Sequence, residues 1–169
     1  MDDRSFRLGD HGRYPPPKLP MTLQPKIDQA WVVRTDFSND EKWEEAVREI
    51  MTPRRVLSMD VRARVTLITD RRYENMSADE VASALPDSYE FLHCFIFDSF
   101  SSSEDESPIL VLNLESNDTH EPSETFQFRA YPAQVFWIDS NLSISNIDFD
   151  DYTRELEPGA IFDGFGEDL

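Results

Sequence analysis

Asp36, Asp70 and Asp98 each close a run of strand-like residues, AWVVRTD, ARVTLITD and FLHCFIFD. If those three strands run parallel through right-handed crossovers, all three acids reach the same carboxyl edge of a sheet. Open α/β sheets bind ligands at that edge, and clustered carboxylates there suit Mg²⁺ or a phosphoryl group held through it. The competing reading is structural, since Asp after a strand is also an ordinary turn and helix-starting residue.

Other reactive side chains are sparser. Ser101, Ser102 and Ser103 are each followed three residues on by an acid, the pattern an acid-directed kinase reads, in a stretch that otherwise looks like a flexible, solvated hairpin tip. Asn141, Ser143 and Asn146 are short polar groups set among aromatics beside Trp137, so they could line a ligand or partner groove, although Asn and Ser also cap helices and close turns. His93 and Cys94 are neighbours on a strand and point to opposite faces, which leaves Cys94 as a buried, inert thiol. There is no Gly-rich phosphate loop, no GxSxG and no HExxH. No catalytic residue is assigned.

The elements that would position these residues follow from periodicity. Ala30–Asp36 and Ala63–Asp70 read as strands, and Phe91–Asp98 and Pro108–Glu115 as nearly continuous apolar runs covered on both faces. Thr125–Tyr131 alternates, with Phe126, Phe128 and Ala130 on one side, and reads as a half-exposed strand near a free edge. Ser38–Glu41 and Ser77–Glu80 have the capping-box pattern, and Trp43, Ala46, Val47 and Ile50 lie on one face of the helix that follows the first. Pro132 opens a helical stretch from Val135 to Ile147, and Asp148 with Asp151 opens a last helix, Phe149–Leu156. Gly159, Gly164 and Gly166 break the chain beyond it, leaving Phe162 and Phe165 to anchor a strap. The segment Pro53–Arg62 shows no clear period.

These elements give an α/β fold, with α+β as its variant, as a mixed five-stranded sheet in the order β-α-β-α-β-β-β-α-α. Residues 1–27, rich in proline and containing a PxxP at Pro17–Pro20, read as a disordered tail; residues 28–169 read as one globular domain.

Charge narrows the partners. Residues 1–72 hold 14 of the 16 basic side chains and 12 of the 34 acidic ones, net +2, so the remainder carries −20 and accounts for the whole acidic balance of the net −18. Such a surface repels phosphates and anionic lipid, which argues against nucleic acid and membrane as partners. Arg54, Arg55, Arg62, Arg64, Arg71 and Arg72 form a basic cluster that could hold an anion, but they read more simply as facing the acidic half of the same molecule. One cysteine excludes an internal disulfide, and the N-terminal residues show no signal-peptide core, so a cytoplasmic location is expected.

With RTDFS (Arg34–Ser38), the buried strand pair and NLSISNIDF (Asn141–Phe149) in this order, the chain resembles the domain of unknown function 6924 family of actinobacteria and filamentous fungi. The resemblance covers about Ala30 to Phe165 and implies no reaction, cofactor or catalytic residue. The expectation is therefore a non-catalytic acidic interaction domain, immunity-like or regulatory, with a basic protein partner and no cofactor. The alternative is a Mg²⁺-dependent phosphoryl-transfer or hydrolytic enzyme using Asp36, Asp70 and Asp98. The oligomeric state stays open.

Overall fold

The computed structural model describes residues 28–115, 127–154 and 156–165. Their elements are β1 (Ala30–Arg34), α1 (Asp40–Met51), β2 (Arg54–Val56), β3 (Met59–Val61), β4 (Val65–Ile68), α2 (Ala78–Ala84), β5 (His93–Phe97), α3 (Ser99–Ser103), β6 (Ile109–Asn113), β7 (Gln127–Ala130), α4 (Val135–Ser143), α5 (Phe149–Thr153) and β8 (Ile161–Phe162). The fold is α/β. The Pro-rich tail with its PxxP, and Thr125 and Phe126 of the expected fifth strand, lie outside the described residues.

The main sheet has six strands in the order β4-β1-β5-β6-β7-β8. β1 pairs parallel with both β4 and β5, as the βαβ reading requires, and β5-β6-β7 form the expected antiparallel meander. The sixth strand is a correction: β8 pairs parallel with β7 through Arg129↔Ile161 and Ala130↔Phe162, so β7 is not the free edge. Two residues are too short to show a period in sequence. The unpatterned stretch after α1 is a separate antiparallel hairpin, β2-β3, whose Leu57-Ser58 turn lacks the Asn-Gly signature.

Both faces of the sheet are covered because its central strands are apolar on both sides. Val32, Phe95, Phe97 and Val111 pack under Trp43, Ala46 and Ile50 of α1, Ile138 of α4 and Tyr152 of α5. Trp31, Val33, Cys94, Ile96 and Leu112 pack under Val81 and Ala84 of α2. Each fully buried large side chain of this kind contributes about 1.5–3 kcal/mol.

The helix starts were partly legible. Ser77 and Glu80 form the expected capping box, with Ser77 N donating to Glu80 Oε2 at 2.8 Å. At α1 the cap is Asn39, whose Oδ1 accepts from Lys42 N, because the Ser38 hydroxyl is already given to Asp36. The serine stretch after Asp98 is the short helix α3, not a flexible tip, and the last helix stops at Thr153.

Tyr89 bridges two neighbouring strands, β1 and β5: its hydroxyl accepts from Trp31 N at 3.0 Å and donates to His93 O at 2.8 Å. Burial pushes this phenol far above its usual range. Tyr89→Phe strands both backbone groups and is expected to lower stability by about 1–3 kcal/mol. Urea denaturation should show a lower midpoint at unchanged slope.

Candidate functional site: an acidic groove at the carboxyl edge

The order β4-β1-β5 places a topological switch point between β1 and β5, where ligands usually enter an open α/β sheet. Here that position is filled by the chain itself. Thr35 N and Asp36 N both donate to Phe97 O, and Asp36 Oδ1 accepts from Ser38 N and from Ser102 Oγ at 2.8 Å. Burial opposes the charge on Asp36, but the hydrogen bonds from Ser38 and Ser102 outweigh it and hold the carboxyl below its ordinary range.

The rest of the RTDFS segment is structural in the same way. Arg34 is buried, donates through Nε to Asp36 O and through Nη2 to Asp40 Oδ1 at 2.7 Å, and its guanidinium lies 4.6 Å from the Phe37 ring centre. Arg71 approaches the same ring at 4.7 Å.

Asp36, Asp70 and Asp98 do share the carboxyl edge, since each follows one of the three parallel strands, but each has its own partner. Asp70 takes a bidentate contact from Arg72, which lowers its pKa. Asp98 takes one from Arg129 at 3.0 and 2.6 Å and caps α3 through Ser101 N. Among the described residues, no three His, Cys, Asp or Glu side chains are grouped to hold a metal ion.

Ser101, Ser102 and Ser103 differ in access. Ser101 is fully buried and donates to Pro108 O at 2.6 Å, Ser102 is committed to Asp36, and Ser103 alone is exposed. A kinase could reach Ser101 only by unfolding α3.

Asn141, Ser143 and Asn146 each have an internal hydrogen-bond partner. Asn141 accepts from Asn146 Nδ2 at 3.0 Å and reaches the Tyr152 hydroxyl, while Ser143 leans on Asp139. These bonds tie α4 to α5. Asp139 itself was missed: it is buried and bonded to His93 Nε2 at 2.9 Å, which explains a histidine inside the strand.

What the tertiary structure does assemble is a groove of about 480 Å³. Glu45 and Glu49 of α1, Asp105 and Glu106 before β6, and Asp163 after β8 line it, with Arg48 as the one base. Ala46, Tyr131, Pro132 and Ala133 supply apolar surface. Ser107 also lines it, 3% exposed, with a hydroxyl that has no hydrogen-bond partner among the described residues. A buried polar group without a partner costs about 1–3 kcal/mol, so its persistence beside an acidic cavity marks a position where a donor from outside would be welcome. Desolvation, then the Glu106 and Asp163 carboxylates, raise the pKa of Tyr131. Sequence reading missed this site because its lining comes from α1, Asp105–Ser107, Tyr131–Ala133 and Asp163, segments far apart along the chain.

The six arginines were expected to face the acidic half; Arg71 does reach its first acid, Glu74, while the partners of Arg54, Arg55 and Arg72 lie in the N-terminal part. Arg54 pairs with Glu49, Arg55 with Asp60, Arg71 with Glu74 and Arg72 with Asp70, all within a few residues.

The family described as "Domain of unknown function (DUF6924)" matches residues 29–165, the whole of this fold. The chain belongs to that family. No curated protein and no solved structure matches it. In this chain the residues matched by DUF6924 span the sheet, its helices and the groove, with the RTDFS segment filling the switch point. No helix among the described residues is long and apolar enough to cross a membrane.

Two outcomes follow from this geometry. Arg129→Leu is expected to cost about 2–3 kcal/mol by stranding Asp98, and Arg129→Lys should recover only part because lysine lacks the two-pronged fork; thermal unfolding of both variants reads this. Burial pushes the Cys94 thiol from 9.0 up to about 12, so the unfolded chain releases that proton first. Its contribution to stability is full below pH 9 and is lost as pH rises towards 12. Denaturation across that window should show a decline that Cys94→Ala flattens.

Proposed function

We propose that this DUF6924 protein is a non-catalytic interaction domain, cytoplasmic and regulatory or immunity-like, that receives a basic protein partner at the acidic groove. The observation that carries this reading is the groove itself: five carboxylates against one guanidinium, an apolar floor, and the unpartnered Ser107 hydroxyl. A lysine or arginine side chain meets carboxylates at the rim and a half-buried aromatic in Tyr131. The local pairing of the arginines supports the same reading, because it leaves the C-terminal acids to act on a partner. Electrostatic attraction of this sort raises the association rate more than it lowers the dissociation rate.

A labelled Lys/Arg-rich peptide tests the reading by fluorescence anisotropy. Binding should weaken steeply with ionic strength, and Glu45→Lys with Glu106→Lys should weaken it roughly tenfold or more. Equal binding by the double variant removes the groove from the account. A thermal shift on adding Mg²⁺ that disappears in Asp70→Asn would instead favour the metal-dependent alternative at Asp36, Asp70 and Asp98.

A further inference from the structure

The β2-β3 hairpin is unlike the rest of the surface. It carries Arg54 and Arg55 on one strand and leads through Val61 into Arg62 and Arg64, with Asp60 as its one acid. It is a basic arm on an acidic body. At its tip Leu57 is 92% exposed and Met59 is 62% exposed.

Leu57 also sits at φ 56°, in the left-handed region that a branched apolar residue occupies at a cost of about 1–2 kcal/mol and that asparagine or glycine would occupy cheaply. A strained backbone that presents an apolar side chain to water is explained when that side chain has somewhere to go. A two-stranded hairpin is also marginal by itself, so a receiving surface would complete it.

The acidic groove has the complementary chemistry, with carboxylates at the rim for Arg55, whose contact with Asp60 is solvent-exposed on both sides and so readily exchanged, and Ala46, Tyr131, Pro132 and Ala133 for the tip. Within one molecule arm and groove are neighbours: Arg54 Nη2 donates to Glu49 O at 3.1 Å, and Glu49 lines the groove. That adjacency decides the symmetry. When donor and acceptor lie side by side, a two-fold axis between two copies lets each arm enter the other's groove at once. We propose that the chain forms a reciprocal dimer in which the Arg54–Val61 hairpin of each copy, led by Leu57, occupies the acidic groove of the other. The proposal rests on the groove being a receptor for basic groups, and it names a second copy as an occupant.

Reciprocity doubles the buried surface towards the roughly 1,200–2,000 Å² of a stable interface. Two chains of net charge −18 repel at a distance. At about 0.15 M salt the screening length is roughly 8 Å, which confines that repulsion while leaving contact pairs in the groove attractive.

Sedimentation equilibrium of the full chain at about 0.15 M salt tests the arrangement, with weakening expected near 1 M where screening reaches contact distance. The wild type should dimerise. Leu57→Asn, which relieves the strained turn and so keeps or raises thermal stability, should weaken dimerisation roughly tenfold or more, as should Glu45→Lys. A wild type that stays monomeric, or a dimer indifferent to both substitutions, overturns the proposal.

The Lys/Arg peptide separates this from the reading it rests on. Peptide bound by the Leu57→Asn monomer and lost in Glu45→Lys keeps the groove as a basic receptor even if the wild type never dimerises. A dimer broken by both substitutions, in a chain that ignores the peptide, keeps the arm exchange and removes the separate basic partner.

Discussion

The carboxylate of Asp98 accepts from Ser101 N and from both terminal nitrogens of Arg129, and Arg129 Nη1 reaches on to Pro108 O at 3.3 Å. One ion pair thereby joins the end of β5, the start of α3, the entry to β6 and the body of β7. Both side chains are about four-fifths removed from solvent, at 21% and 23% exposure, so the pair is worth more than a surface contact of the same length. Its position sets the path of residues 99–108, and that path delivers Asp105, Glu106 and Ser107 to the groove. With β7 held at its other end, Tyr131 and the Pro132–Gln134 turn follow as the facing wall. Lys42 Nζ, donating to Asp105 O at 2.6 Å, closes the loop onto α1.

Charge on this protein is arranged by sequence distance. Arginines of the N-terminal half find acids within a few residues, where forming the contact demands little chain ordering. The acids around the groove come from three separate segments, and Arg48 is the one base that lines it with them. Concentrated negative charge destabilises a fold modestly and is kept where it serves solubility or recognition. The unpartnered Ser107 hydroxyl and the apolar lining distinguish this patch from a uniformly acidic surface.

The switch point shows the opposite economy. Its hydrogen-bonding capacity is consumed internally, by Thr35, Asp36, Ser38, Ser102 and the Phe97 carbonyl, and the aromatic of Phe37 is covered by two guanidiniums. The RTDFS segment thus has a packing explanation. Fold and site are separate matters here, as they are across α/β architectures generally.

Much of the fold was legible along the chain. The apolar runs placed β1, β4, β5 and β6, the alternation around Phe128 placed β7, and Trp43, Ala46 and Ile50 placed the buried face of α1, because side-chain periods of about 2 and 3.6 are properties of a local backbone. The same locality explains the misses. β8 is two residues long, the β2-β3 turn lacks turn residues, and the Ser38 hydroxyl could serve either Asp36 or the helix. The candidate site was barely legible. Asp36, Asp70 and Asp98 were placed at one edge by strand ends, yet which partners their carboxylates take depends on Arg72, Arg129 and Ser102, the last two lying 31 and 66 residues from the acids they bind. The groove gathers Glu45, Asp105, Tyr131 and Asp163 across more than a hundred residues. Sequence determined the elements because hydrophobic period acts within a few turns of chain; tertiary structure alone decided the groove, because charge and burial act through space between segments that only the closed sheet brings together.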